Sequence, residues 1–174
     1  LGIHISQEKV AVTMLDAHEE ESYQRQLIRY SGSEEDKIKA YLFVPKGKTI
    51  IGSVLVHHQH NGARHLGKSE VAGLVGDPFQ AFGPALVKKG IIVLAPDSIC
   101  FEDRRINQKV IAPAPNPKDD WLQHYNEMCY RLLEGKTLMK KVVDDSAIGI
   151  SVLSQLERIP PVDIGILGHS YGGN

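Results

Sequence analysis

Three apolar runs, Ile50 to Val56, Ile91 to Ala95 and Val162 to Leu167, punctuate the chain, and stretches with helical spacing separate them. The runs are rich in β-branched residues and lack the strict alternation of a half-exposed strand, so they read as strands covered on both faces. Strands of this kind that alternate with helices form a parallel α/β sheet. Ahead of them, Tyr23 to Tyr30 and Lys37 to Val44 alternate as half-buried strands, with Ser31 to Asp36 as the hairpin loop between them. The expected fold is therefore α/β: a mostly parallel sheet led by an antiparallel strand pair.

Helix boundaries fill the intervals. Residues 3 to 16 read as a short amphipathic helix, and Glu19 to Glu21 as a solvated turn. Asp77 caps a helix that opens on Pro78 and runs to Lys89, where Gly90 stops it. After the Ala112 to Pro117 loop, Asp119 or Asp120 caps a helix reaching Leu133, whose Trp121, Tyr125 and Tyr130 are expected to pack it in place, with a wall over the ligand site as the alternative. Thr137 caps a longer helix with a wide apolar face that includes Val142, Val143, Ile150 and Leu153. Pro160-Pro161 breaks the chain before the last strand.

Composition narrows the function. A hydrophobic share of 42% supports a packed core rather than disorder. Twenty Lys and Arg against twenty-one Asp and Glu leave no basic excess for a phosphate backbone, so no nucleic-acid partner is expected. No apolar run approaches the roughly 20 residues that span a bilayer, so no membrane partner is expected either. The first residues lack the basic start and apolar core of a signal peptide, and the two cysteines, Cys100 and Cys129, suit a reducing compartment; a cytoplasmic location is the expectation. A length of 174 residues suggests one domain or part of one.

In open parallel sheets, ligands sit beyond the carboxyl ends of the strands. The loop after Leu167 reads Gly168-His169-Ser170-Tyr171-Gly172, a match to G-x-S-x-G, in which a sharp strand-to-helix turn presents a serine hydroxyl. Side chains at Gly168 and Gly172 would collide with backbone in so tight a turn. A nucleophilic Ser170 needs donors for the developing oxyanion. The N–H of Tyr171 would supply one, and the loop His57 to Gly62 stands where the second is needed.

The segments Val54 to Gly62, Ala85 to Asp97 and Val162 to Gly173 resemble the α/β-hydrolase superfamily, closest to its dienelactone hydrolase and acetyl-esterase branch, which is related to the prolyl oligopeptidases. The likeness covers most of residues 36 to 174. It implies that Ser170 is the nucleophile of a carboxylic ester hydrolase working through an acyl-enzyme, and that the amides of Tyr171 and of His60 or Gln59 form the oxyanion hole. It also implies that Asp97 orders the loop after its strand. A small-molecule ester is the implied partner, with no cofactor. A peptidase of the prolyl oligopeptidase type is the alternative within the superfamily.

A competing motif lies in the middle loop. Gly62-Ala63-Arg64-His65-Leu66-Gly67-Lys68-Ser69 matches the phosphate-binding pattern G-x-x-x-x-G-K-[ST]. That pattern requires a strand running straight into a stable helix whose amides hold phosphate. Here His57 to Asn61 intervenes, and the following residues carry Gly73 and Gly76. Coincidence is the preferred reading, with Lys68 and Ser69 on a surface loop rimming the pocket; a P-loop NTPase stays as the alternative. His58 and His60 offer two imidazoles but no convincing third ligand, so no metal is expected, and His58 reads as bonded into the adjoining turns. Cys100 and Cys129 read as buried or half-buried thiols. Glu102-Asp103-Arg104-Arg105 reads as a solvated charge cluster, with binding of a substrate carboxylate as a lesser role for the arginines.

Serine needs a base, and the α/β-hydrolase order places an acid and then a histidine after the nucleophile. Only Tyr171, Gly172, Gly173 and Asn174 follow Ser170 here. Residues 1–174 therefore read as the N-terminal portion of a single α/β-hydrolase domain, catalytically inactive by itself. Such a piece is expected to self-associate through the exposed sheet edge.

Overall fold

The computed structural model describes residues 9–106, 111–156 and 164–173. Six strands form one sheet: β1 (Thr13–Glu19), β2 (Tyr23–Ser31), β3 (Lys37–Pro45), β4 (Gly52–His57), β5 (Ile91–Pro96) and β6 (Ile164–Gly168). Their order is β1-β2-β3-β5-β4-β6. The first three strands and β5 pair antiparallel, whereas β5, β4 and β6 run parallel. The leading antiparallel part is thus larger than a pair.

β1 corrects the helix expected over residues 3 to 16; of that stretch, residues 3–8 lie outside the described residues, as does the Pro160-Pro161 break. Every residue of β1 is exposed, so no packed face imposes alternation on its sequence, and ladder pairing to β2 alone holds it extended. The helices are α1 (Lys68–Val71), α2 (Phe82–Val87), α3 (Pro117–Leu133) and α4 (Leu138–Ser154). The single helix expected from Pro78 to Lys89 is divided. Asp77 accepts from the Phe79 N–H to cap a 3₁₀ turn over Pro78–Gln80, and α2 begins afresh at Phe82. Asn116, not Asp119 or Asp120, caps α3, its Oδ1 accepting from the Lys118 N–H at 3.2 Å. Thr137 caps α4 as expected, Oγ1 accepting from the Lys140 N–H at 3.0 Å.

Strand periodicity separates two cores. Tyr30, Ile38, Leu42, Leu55 and Leu94 face Val152 and Leu153 of α4. On the other face, Phe43, Val56, Val93 and Ala95 pack with Val71, Ala72 and Val87 around α1 and α2. Alternate residues of β3, β4 and β5 serve opposite cores, which is why these strands show little polar alternation. Among the described residues β6 has a neighbour only in β4, and Ile166 on it is 61% exposed. Among the described residues no helix is long and apolar enough to cross a membrane.

Candidate active site

β4 and β6 run side by side, and their last register pair is His57 with Gly168. The loop after β4 and the turn after β6 therefore start from the same edge. At that turn Ser170 takes φ +55°, a left-handed conformation that costs an L-residue energy and is rare outside special sites. A single 3₁₀ turn follows, in which the Gly172 N–H donates to His169 O at 3.0 Å.

The two flanking glycines are sterically required. A Cβ on Gly168 would stand 1.8 Å from Gly172 O, and one on Gly172 would stand 2.6 Å from His57 O and 2.7 Å from His58 O. The turn thus presses backbone against backbone on the end of β4. Ser170 is exposed; a cavity of about 200 Å³ between α4 and β6 meets the turn at Tyr171 and Gly172 and is lined further by His57, Ser146, Ile150 and Ile166.

Tyr171 and His60 are brought together, their rings 5.8 Å apart. Phe101, from the loop after β5, and His124, from α3, complete an aromatic cluster around Tyr171, each 5.8 Å from its ring. His124 was not singled out in the sequence; nothing in its local pattern distinguishes it from a helix-surface histidine. Gln59 is buried, and its Nε2 donates to the Glu70 carboxylate at 3.3 Å. No acceptor takes the backbone N–H of Gln59 or of His60 among the described residues.

The hydrogen-bond network settles the histidine tautomers. His58 Nδ1 donates to Gln59 O at 2.8 Å while Nε2 accepts the Ser98 N–H at 3.1 Å, and burial pushes this imidazole down to about 4. His60 accepts the Gly62 N–H at Nδ1, and His124 accepts the Arg64 Nε–H at Nδ1, leaving Nε2 protonated in both neutral rings. Ser146 donates its hydroxyl to Val142 O, so His57 Nε2 donates to Ser146 Oγ at 3.0 Å. His58 thus bonds into the adjoining turns as expected. Neither His60 nor His124 keeps a free lone pair for taking a proton from serine.

The segment matching the phosphate-loop pattern is built differently from the surface loop expected for it. Lys68 and Ser69 are buried. Lys68 Nζ donates to Asp97 Oδ2 at 2.8 Å, to Asp103 Oδ2 at 2.6 Å and to Glu102, while its backbone N–H donates to Asp97 Oδ1 at 2.8 Å. The Ser69 N–H and hydroxyl both donate to Glu102. Burial raises the Asp97 carboxyl against the pull of Lys68; burial also disfavours the Lys68 charge, but Asp97 and Glu102 outweigh it and hold the ammonium above its ordinary range. Every Lys68 donor is thus taken by a carboxylate, and α1 is only four residues long. Asp97 does tie down the loop after its strand.

The solvated cluster expected at Glu102 to Arg105 is also corrected. Glu102 and Arg105 are buried, and the Arg104 side chain is 5% exposed. Arg104 donates to Asp145 Oδ2 at 2.8 Å, to Asp36 and to Asp97 O; Arg105 NH1 holds both oxygens of Asp120 at 3.0 and 2.9 Å. Trp121, Tyr125 and Tyr130 do not pack α3 into the core: all three are exposed, with Trp121 stacked on Tyr125 at 5.1 Å. Cys100 is buried, which pushes its thiol up to about 11, and Cys129 is half-buried.

Against solved structures, the chain superposes on a Bacteroides fragilis protein assigned as an acetyl xylan esterase with a TM-score of 0.72 and 17% identity, over 94% of this chain and 43% of that one. The acetyl xylan esterase of Paenibacillus sp. R4 follows at 0.59 and 19%, over 94% and 46%. Acetyl xylan esterase 1 of Thermoanaerobacterium sp. gives 0.58 and 15%, over 97% and 47%. The fold is that of the α/β-hydrolases. The chain spans less than half the length of each of these three structures. No protein-family model and no curated protein sequence matches it.

Proposed function

We propose that Ser170 is the nucleophile of a serine hydrolase that cleaves carboxylic esters through an acyl-enzyme, with residues 1–174 forming the N-terminal portion of its domain. The observation that carries this reading is the backbone of the turn. A serine in the left-handed region, between two glycines whose missing side chains let it press on the end of β4, is the geometry of a nucleophile elbow. The oxyanion would be held by the amide of Tyr171 and by that of His60 or Gln59, the latter two lacking another acceptor. Ester rather than peptide cleavage is supported by the esterases among the superposed structures. The base and its acid are proposed to come from outside residues 1–174; within them, the lone pairs of the nearby His60 and His124 are already engaged by the Gly62 N–H and by Arg64.

Labelling with a fluorophosphonate tests this. The full-length protein should be labelled, and Ser170→Ala should remove the label; labelling that survives Ser170→Ala would refute the assignment. Residues 1–174 alone should not react.

A further inference from the structure

Among the described residues four arginine side chains are buried, Arg64, Arg104, Arg105 and Arg131, and three of them are neutralised. Arg104 pairs with Asp36 and Asp145, Arg105 with Asp120, and Arg131 with Glu34 and Glu127. Arg64 is different. It is 6% exposed, and its one side-chain hydrogen bond among the described residues runs from Nε to His124 Nδ1 at 3.2 Å. No carboxylate pairs with it there. The acid that acts on it from farther off, Asp120, already has both oxygens on Arg105 and a further bond from the Ala114 N–H at 3.1 Å.

A guanidinium has five N–H donors in a planar fork, and Arg64 commits one. The remaining edge carries a positive charge withdrawn from water, and burial accordingly pushes the Arg64 pKa down. Such a group is stabilised by an anion, and a carboxylate matches its fork with two parallel bonds. Its position relates it to the elbow. The His124 ring that anchors Arg64 meets the ring of Tyr171 edge-on, and Tyr171 directly follows Ser170. Burial holds His124 neutral, pushed down to about 4, so it accepts from the guanidinium instead of repelling it.

We propose that Arg64, positioned by His124, is a specificity-determining residue that binds a carboxylate carried by the ester substrate. This rests on the serine-hydrolase reading above and narrows it to monoanionic esters.

Two matched pairs test it on the full-length protein: p-nitrophenyl hemisuccinate against its methyl ester, and 4-acetoxybenzoate against its methyl ester. They place the charge on the acyl side and on the alcohol side respectively. In at least one pair the anionic member should have the higher kcat/KM, by about tenfold or more. Arg64→Gln should collapse that ratio toward one, and Arg64→Lys should restore part of it. A wild-type protein that turns over the neutral member of both pairs equally well or better overturns the proposal, as does a preference that survives Arg64→Gln. Fluorophosphonate labelling run in parallel separates the two readings. A labelled wild type without anion preference sinks the Arg64 assignment alone, whereas an unlabelled wild type sinks both. Should Arg64→Gln not fold, the wild-type ratio and Arg64→Lys decide.

Discussion

The Lys68 ammonium stands 2.8 Å from the Asp97 carboxylate, with the two side chains 2% and 0% exposed. This pair ties the loop after β4 to the loop after β5 and so fixes the frame in which Gln59 and His60 sit. Removing one member strands the other charges in a dry environment. Lys68→Met should destabilise the fold by about 3–5 kcal/mol, the range for breaking a buried ion pair. Urea unfolding measures it; a loss under about 1 kcal/mol would mean that the carboxylates take up protons or water at little cost.

Ser170 at φ +55° bears strain that a glycine would not. Ser170→Gly should therefore stabilise the protein by about 1 kcal/mol while abolishing fluorophosphonate labelling. Equal or lower stability in Ser170→Gly would show that the turn is not held against its intrinsic preference.

Gly172→Ala should do the opposite. Its new Cβ would fall within 2.7 Å of two carbonyl oxygens at the end of β4, with no side chain free to give way. A cost of about 1–3 kcal/mol and loss of labelling are expected. Unchanged labelling in Gly172→Ala would contradict the close packing of the elbow on β4.

His58 makes stability depend on pH. Its imidazole titrates at about 4 in the fold, because of burial, against an ordinary 6.5. Between those values the unfolded chain binds a proton that the native ring refuses, so stability falls as pH drops from about 6.5 toward about 4. The fall attributable to His58 is on the order of 3 kcal/mol, and it levels off below that window. Unfolding curves at pH 7.5 and 5 should converge in His58→Asn relative to wild type; an unaltered pH slope would assign the effect to other groups.

Among the described residues nothing pairs with the outer edge of β6, which carries the exposed Ile166, and a polypeptide of residues 1–174 alone would present that edge. It should self-associate in gel filtration, and Ile166→Lys should reduce this. A monomeric profile for the unsubstituted polypeptide would argue against an available edge.

Strands β2 to β6 and the tight turn at Ser170 were readable from sequence because their signals are local, whereas β1, exposed throughout, read as a helix. β-branched runs mark β4 and β5, and two glycines flanking Ser170 mark a turn that tolerates no side chain. What escaped reading depends on contacts distant in sequence. Lys68 and Ser69 read as surface residues because their partners Asp97, Glu102 and Asp103 lie about thirty positions on. The same separation hid Arg104, whose acids sit in the β2–β3 loop and on α4. At α3 the acidic residues suggested a cap, yet Asp120 is turned inward to Arg105 and Ala114, and Asn116 before Pro117 takes the capping role. The arginine that the site leaves unpaired was not among those the charge pattern drew attention to.

α3 carries a final consequence. It turns Asp120, His124 and Arg131 inward and leaves Trp121, Leu122, Tyr125 and Leu133 in water. The helix is fastened by directional bonds to Arg105, Arg64 and Glu34 and by the His124 ring on Phe101 and Tyr171, and its residues stand outside both hydrophobic cores. Its detachment would uncover the Phe101 and Tyr171 rings but neither hydrophobic core, so its heat-capacity change would be a small part of that of global unfolding. Amide exchange would detect it, and added salt would weaken chiefly its outermost tie, between Arg131 and the half-exposed Glu34. Because His124 rides on α3 and holds Arg64, any opening of the helix would also release the guanidinium.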